Sequence, residues 1–124
     1  MSLNDSVSRL IEKVTWETVS GKVEWHFSTP PSQLTEGTSD VISVYVICKY
    51  KGQRLAVFEK RHKYYTDVDD WSWTYLNVFA VIDQAGRVIF ETPEADIQVN
   101  NLFNLARDNA SGIDNIINSL LSDE

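Results

Sequence analysis

Residues 41–92 most constrain what this chain can fold into, because they hold nearly all of its strongly β-forming sequence. A strand points successive side chains to opposite faces, so alternate residues of 41–50 can line a core. Lys51-Gly52 follows this run, and glycine supplies the positive φ that a short hairpin loop needs. The pattern predicts a β-hairpin whose second strand extends to residue 65. The core-facing set of its first strand is Ile42, Val44, Val46, Cys48 and Tyr50.

A second long run, residues 71–82, carries large side chains at both odd- and even-numbered positions. Such a strand is covered on both faces for at least part of its length. The polar turn 66–70 precedes this run, and the loop 83–87 leads to a return strand at 88–90. The apolar parity is irregular around Val57 and Phe58, which predicts a β-bulge there. Together these runs predict an antiparallel meander.

Helices are predicted at both ends of the meander. Asn4 or Asp5 can cap a first helix, and residues 15–19 and 23–28 then predict a first hairpin. The acids of 91–96 suit the positive end of a helix dipole, so a helix is predicted to begin there. The helical stripes, at the spacing of one buried face, are Val7, Leu10, Ile11 and Val14; Val99, Leu102, Phe103 and Ala106; and Ile113, Ile116, Ile117, Leu120 and Leu121.

The predicted fold class is α+β in a single domain, 1–124. It has an N-terminal helix, an antiparallel meander of about six strands in three hairpins, and two C-terminal helices packed on the sheet. At 124 residues, 43% of them hydrophobic, such a domain can bury a core without disulfides or metals. A lone cysteine, Cys48, together with no signal pattern and no run long enough to cross a membrane, predicts a cytoplasmic protein.

The net charge of −7 is distributed unevenly along the chain. Residues 1–40 carry −3, residues 41–65 carry +5, and residues 66–124 carry −9. An acidic chain is repelled by phosphate backbones, which disfavours nucleic-acid binding. Lys60-Arg61-His62-Lys63 lies beside aromatic residues that could stack on bases. Three acids follow at the same hairpin tip, so a solvated face is the better interpretation.

No grouping of residues predicts catalysis, a cofactor site or a metal site. His26 and His62 have no zinc-ligand spacing, and Cys48 lies among apolar residues that would raise its pKa. The acids of residues 67–70 could bind calcium weakly, but they lack the glycine and glutamate of the calcium-loop pattern. Acids in turns more often accept hydrogen bonds from local backbone donors.

One cluster does predict a function. Aromatic residues gather at the tip of the central hairpin beside cations and acids, and aromatic residues with arginine are what the centres of protein interfaces favour. The alternative is that the rings pack beneath a helix or pair across the strands. The predicted partner-binding residues are Arg61, Tyr64, Tyr65, Asp67, Asp69, Asp70, Trp71 and Trp73, with Tyr75 beside them.

A resemblance covers most of the chain. Residues 61–67, Trp71-Ser72-Trp73, residues 102–107 and Gly112-Ile113-Asp114 make the sequence similar to small uncharacterised bacterial proteins of helix–meander–helix layout. The resemblance implies a fold and carries no catalytic residue across. Some bacterial proteins of this size and acidity are immunity factors or phage-related accessory proteins.

Three functions follow as hypotheses. The first is a non-enzymatic protein-binding or accessory module that presents the hairpin tip or an exposed sheet edge. The second is an acidic immunity-type or inhibitor protein that neutralises a basic toxin or nuclease through its C-terminal segment. The third is a small enzyme, which would need a pocket containing His26, His62 or Cys48. A homodimer formed through the final helix or an open edge is a further expectation.

Overall fold

Five antiparallel strands, in the order β1-β2-β3-β4-β5, form the centre of the computed structural model, which describes residues 4–122. The strands are β1 (His26–Phe27), β2 (Val41–Tyr50), β3 (Gln53–Asp67), β4 (Asp70–Ile82) and β5 (Val88–Glu91). The helices are α1 (Asp5–Val19), α2 (Ile97–Ser111) and α3 (Ile113–Leu121), with a 3₁₀ turn at Ser32–Leu34. The α+β class and the antiparallel meander are confirmed. The predicted six strands in three hairpins are wrong, because there are five.

The predicted first hairpin is absent, because residues 15–19 continue α1. Val14 and Thr18 keep the helical spacing on the buried side, whereas Trp16 and Val19 are exposed. The Thr18 hydroxyl donates to the Val14 carbonyl at 2.8 Å and accepts from the indole N–H of Trp25 at 3.0 Å. A polar residue is thus satisfied inside the core, and helical packing overrides the strand propensity of a short run.

The central hairpin is confirmed, and its turn has φ 51° at Lys51 and φ 82° at Gly52. Two positive φ values fit the type of two-residue turn that matches strand twist. The predicted bulge at Val57 and Phe58 is wrong, because both residues are buried in unbroken register on opposite faces of the sheet. The irregularity in β2 lies between Ile42 and Val44.

The sheet separates two cores. On the side of α1 and α2, which we call the helix side, fourteen buried residues form one cluster that includes Leu55, Val57 and Phe79. On the other side, the far side, a smaller cluster contains Phe58 and is partly covered by Leu34 of the loop between β1 and β2. The inner part of β3 is therefore covered on both faces, and residues 55–58 are all at most 2% exposed.

The two C-terminal helices differ. α2 begins at Ile97 instead of within 91–96, because residues up to Glu91 belong to β5 and Asp96 accepts a cap bond from the N–H of Gln98 at 2.8 Å. The predicted buried stripe of α2 is confirmed. The predicted packing of α3 on the sheet is wrong: Gly112, at φ 65°, ends α2, and α3 has no buried residue.

Within residues 4–122, none of the helices has the length and hydropathy needed to cross a membrane.

Candidate functional site

The outer part of the β3–β4 hairpin projects beyond its neighbouring strands. β2 reaches β3 only as far as Arg61, and β5 pairs with β4 only at residues 80–82. Beyond these points β3 and β4 pair with each other alone, out to Asp67 opposite Asp70. At about 3.3 Å per residue, the projection is about 20 Å long. We call residues 61–75 the ribbon.

The ribbon has two chemically distinct faces. Leu55, Val57 and Phe79 lie in the helix-side core, and alternate residues of a strand share a face. The helix-side face of the ribbon therefore holds Arg61, Lys63, Tyr65, Trp71, Trp73 and Tyr75. The far face holds His62, Tyr64, Ser72 and Thr74, and there Thr74 Oγ1 lies 2.7 Å from His62 Nε2.

Rings and cations alternate on the helix-side face. The rings of Trp71 and Trp73 meet edge to face, with 5.4 Å between centroids. Lys63 Nζ lies 4.4 Å from the Trp71 ring centroid and 5.8 Å from that of Trp73. Arg61 Cζ lies 5.3 Å from the Tyr75 ring centroid. Cation–π attraction and ring packing favour this arrangement within each of the two groups, Lys63 with the tryptophans and Arg61 with Tyr75.

This face is open to solvent. Tyr65 is 56% exposed, Trp71 42%, Trp73 39% and Tyr75 61%. The helical cover ends at Asn77, whose side-chain Nδ2 donates to the side-chain Oδ1 of Asn100 in α2 at 3.1 Å. The rings therefore do not pack beneath a helix. They do pair across the strands, since Tyr65 stands opposite Trp71.

The backbone edge of β4 along the ribbon is also open. Phe79 N–H donates to Thr92 Oγ1 at 3.0 Å, and Phe79 C=O accepts from Thr92 N–H at 2.9 Å. Backbone groups of alternate residues point the same way in an antiparallel strand. The N–H and C=O groups of Trp71, Trp73 and Tyr75 therefore point to an edge that no strand of residues 4–122 covers.

The Asp67 carboxylate and the Asp70 backbone take part in the local turn. Asp67 Oδ1 accepts from the N–H of Val68 at 2.7 Å, and Thr66 Oγ1 donates to the Asp70 carbonyl at 3.2 Å. Asp67, Asp69 and Asp70 are exposed. No group of three or more His, Cys, Asp or Glu side chains suited to a metal ion occurs within residues 4–122.

The candidate enzyme residues are only partly brought together. His26 and Cys48 line one cleft of about 650 Å³, and His62 lies away from it on the ribbon. Cys48 is 3% exposed, and burial raises the pKa of its thiol to about 12. Because only the thiolate is a strong nucleophile, burial disfavours the reactive form of Cys48 near neutral pH.

The eight predicted partner-binding residues all lie on the ribbon or its tip, but on more than one surface. Tyr64 faces the far side, and Arg61, Tyr65, Trp71 and Trp73 share the helix side. Sequence reasoning left Tyr75 outside the predicted site, although its parity with Trp73 placed it on the same face. An exposed sheet edge was among the predicted binding surfaces, but it was not assigned to β4, whose open edge follows from the four-residue length of β5.

No protein-family model, curated protein or solved structure matches the chain significantly. The resemblance to small bacterial helix–meander–helix proteins therefore stays a prediction, and function is argued from the geometry.

Proposed function

We propose that this chain is a non-enzymatic protein-binding module and that the helix-side face of the ribbon, with the open edge of β4, is its recognition surface. One observation carries the proposal: the rings of Trp71, Trp73 and Tyr75 contact two cations on one face and remain exposed, with exposed Tyr65 opposite Trp71. Interface centres favour aromatic residues and arginine, because rings offer large contact areas at low cost in conformational entropy.

The binding mode that fits this surface is strand addition. An extended segment of the partner would bond to the outward N–H and C=O groups of Trp71, Trp73 and Tyr75, and its alternate side chains would pack against their rings. Residues 71–82 contain no charged residue and no proline, the features with which proteins commonly protect an exposed edge strand from pairing. The same edge could also support the predicted homodimer.

The test compares two neighbouring tyrosines. Tyr65 and Tyr64 are 56% and 57% exposed but lie on opposite faces of the ribbon. In a pull-down from native cell extract, the double variant Tyr65→Ala, Trp71→Ala should lose the captured partner, and Tyr64→Ala should keep it. Circular dichroism of each variant checks the fold. Equal capture by wild type and both variants would contradict the proposed surface.

An acidic inhibitor of a basic protein is the second candidate. It is supported by exposed acids on the C-terminal helices, Asp108 and Asp114, beside the uncovered apolar face of α3. Binding driven by exposed charges weakens steeply with salt, because the Debye length falls to about 3 Å at 1 M. Repeating the capture at low and high sodium chloride separates the candidates: ribbon-mediated capture persists, and capture by the acidic segment is lost.

A further inference from the structure

A basic cleft lies at the other end of the β2–β3 hairpin from the ribbon. Its volume is about 650 Å³, and the side chains that line it include Lys22, His26, Lys49 and Arg54, with Glu24 as the only acid. We propose that this cleft binds a small phosphate-bearing anion. The site is separate from the ribbon and does not depend on the function proposed for it.

The core of the site is a like-charge pair. Lys49 of β2 stands directly opposite Arg54 of β3, next to the turn. Both side chains point to the far side, since Ala56 and Phe58, on the parity of Arg54, belong to the far-side cluster. Like charges directly opposite each other destabilise an antiparallel pair. A bound anion would turn this repulsion into two attractions.

No carboxylate of residues 4–122 forms an ion pair with these cations, although Glu24 lines the same cleft. Arg87, on another turn, binds Asp83 Oδ2 at 2.9 Å. In residues 4–122, by contrast, the side chains of Lys22, Lys49 and Arg54 have no carboxylate oxygen within 4.0 Å. The chain has a net charge of −7, so a cleft lined by several unpaired cations has the opposite charge to the protein as a whole.

The chemistry of the two cationic side chains suits a phosphate group. Lys49 and Arg54 also line an adjoining hollow of about 450 Å³ with Gly52 and Gln84, so the pair stands between two spaces that a ligand can enter. A guanidinium binds two phosphate oxygens at once, and a lysine adds a point charge. Ile47 lines the same cleft and offers apolar contact, so the ligand class we infer is a phosphate monoester with a small apolar group.

The experiment is a titration of the ¹⁵N-labelled chain, followed by amide chemical shifts, with inorganic phosphate and with phenyl phosphate at constant ionic strength. Saturable shifts around residues 47–49 and 54 are expected, with tighter binding of phenyl phosphate. The double variant Lys49→Gln, Arg54→Gln should bind at least tenfold more weakly. The control Arg107→Gln removes a cation from α2 and should bind as wild type. Shifts no different from those in sodium chloride, or unchanged affinity in the double variant, would overturn the proposal.

Thermal unfolding gives a second readout. Because the pair is repulsive when empty, the double variant without anion should have a Tm equal to or above that of wild type. Phosphate should raise the Tm of wild type and leave that of the double variant unchanged. A lower Tm for the empty double variant would mean that the two cations stabilise the fold instead, which would refute the inferred site.

Discussion

The inner and outer parts of the β3–β4 hairpin are built from the same two strands and have opposite environments. Residues 55–58 of β3 are at most 2% exposed, whereas Tyr64 and Tyr65 are more than half exposed. Strand pairing is continuous from one part to the other. The difference arises from what lies around the strands, because β2, β5 and α2 end before the ribbon does. In this molecule aromatic content marks a core at one end of a hairpin and a surface at the other.

The largest expected effect is on stability within the covered part. Phe58 and Tyr64 point to the same far side of β3, one 0% and the other 57% exposed. Removing a buried phenylalanine ring costs about 3–5 kcal/mol, and a surface truncation changes stability by about 0.5 kcal/mol or less. Urea unfolding of Phe58→Ala and Tyr64→Ala measures both. Similar losses for the two variants would show that the ribbon is packed after all.

The covered part of the hairpin should also lose stability at alkaline pH. Cys48 and Tyr45 stand directly opposite Leu55 and Phe58 of the covered part. Burial raises the pKa of each to about 12, from 9.0 for the thiol and 10.0 for the phenol. The folded state thus favours the neutral form, so the stabilisation is complete below the unfolded pKa and is lost as pH rises towards 12.

Unfolding free energy should therefore fall above pH 9 and more steeply above pH 10. Denaturant titrations of wild type and Cys48→Ala between pH 7 and 11 measure this decline. The variant should lose the component that begins near pH 9 and keep the one that begins near pH 10. A wild-type free energy that stays constant up to pH 11 would contradict the burial of both groups.

Much of the fold could be predicted because its signals are local. The stripes of α1 and α2 and the turn at Lys51-Gly52 follow from spacing and from glycine, and all three are confirmed. Residues 15–19 were misassigned because a short run with Trp16 and Val19 satisfies strand propensity, whereas the helical period of the preceding residues continues through Thr18. The exposure of α3 could not be predicted, because amphipathicity shows that a face is apolar and not what covers it.

The candidate sites also have some features that follow from the sequence and others that depend on the tertiary fold. That Tyr65, Trp71 and Trp73 gather at one hairpin follows from the sequence, but their exposure depends on where neighbouring strands end. The two-residue turn at Lys51-Gly52 is enough to predict that Lys49 pairs with Arg54. Strand pairing that starts at such a turn places these two residues directly across from each other. The approach of Lys22 and His26 to that pair requires the tertiary fold, because a loop and another strand bring them there.

The smallest expected effect concerns how firmly the ribbon holds its own rings. Lys63 lies over both tryptophan rings, whereas Lys60 lies outside the ribbon, one register pair towards the core, opposite Leu76. A cation–π contact at an exposed site is worth about 0.5–1 kcal/mol. Replacing Lys63 by methionine keeps the apolar stem and removes the charge, so Lys63→Met should lose about that much stability, and Lys60→Met should lose less.

Tryptophan fluorescence provides the matching local readout. Acrylamide should quench the emission of Lys63→Met more strongly than that of wild type or Lys60→Met, because Trp71 and Trp73 lose a neighbour while exposed Trp16 and buried Trp25 are unaffected. Identical stability and quenching in all three proteins would mean that the cation does not order the rings. The side chains of the outer part of the hairpin would then be less ordered, as well as less buried, than those of the inner part. A partner would have to fix the ring arrangement when it binds.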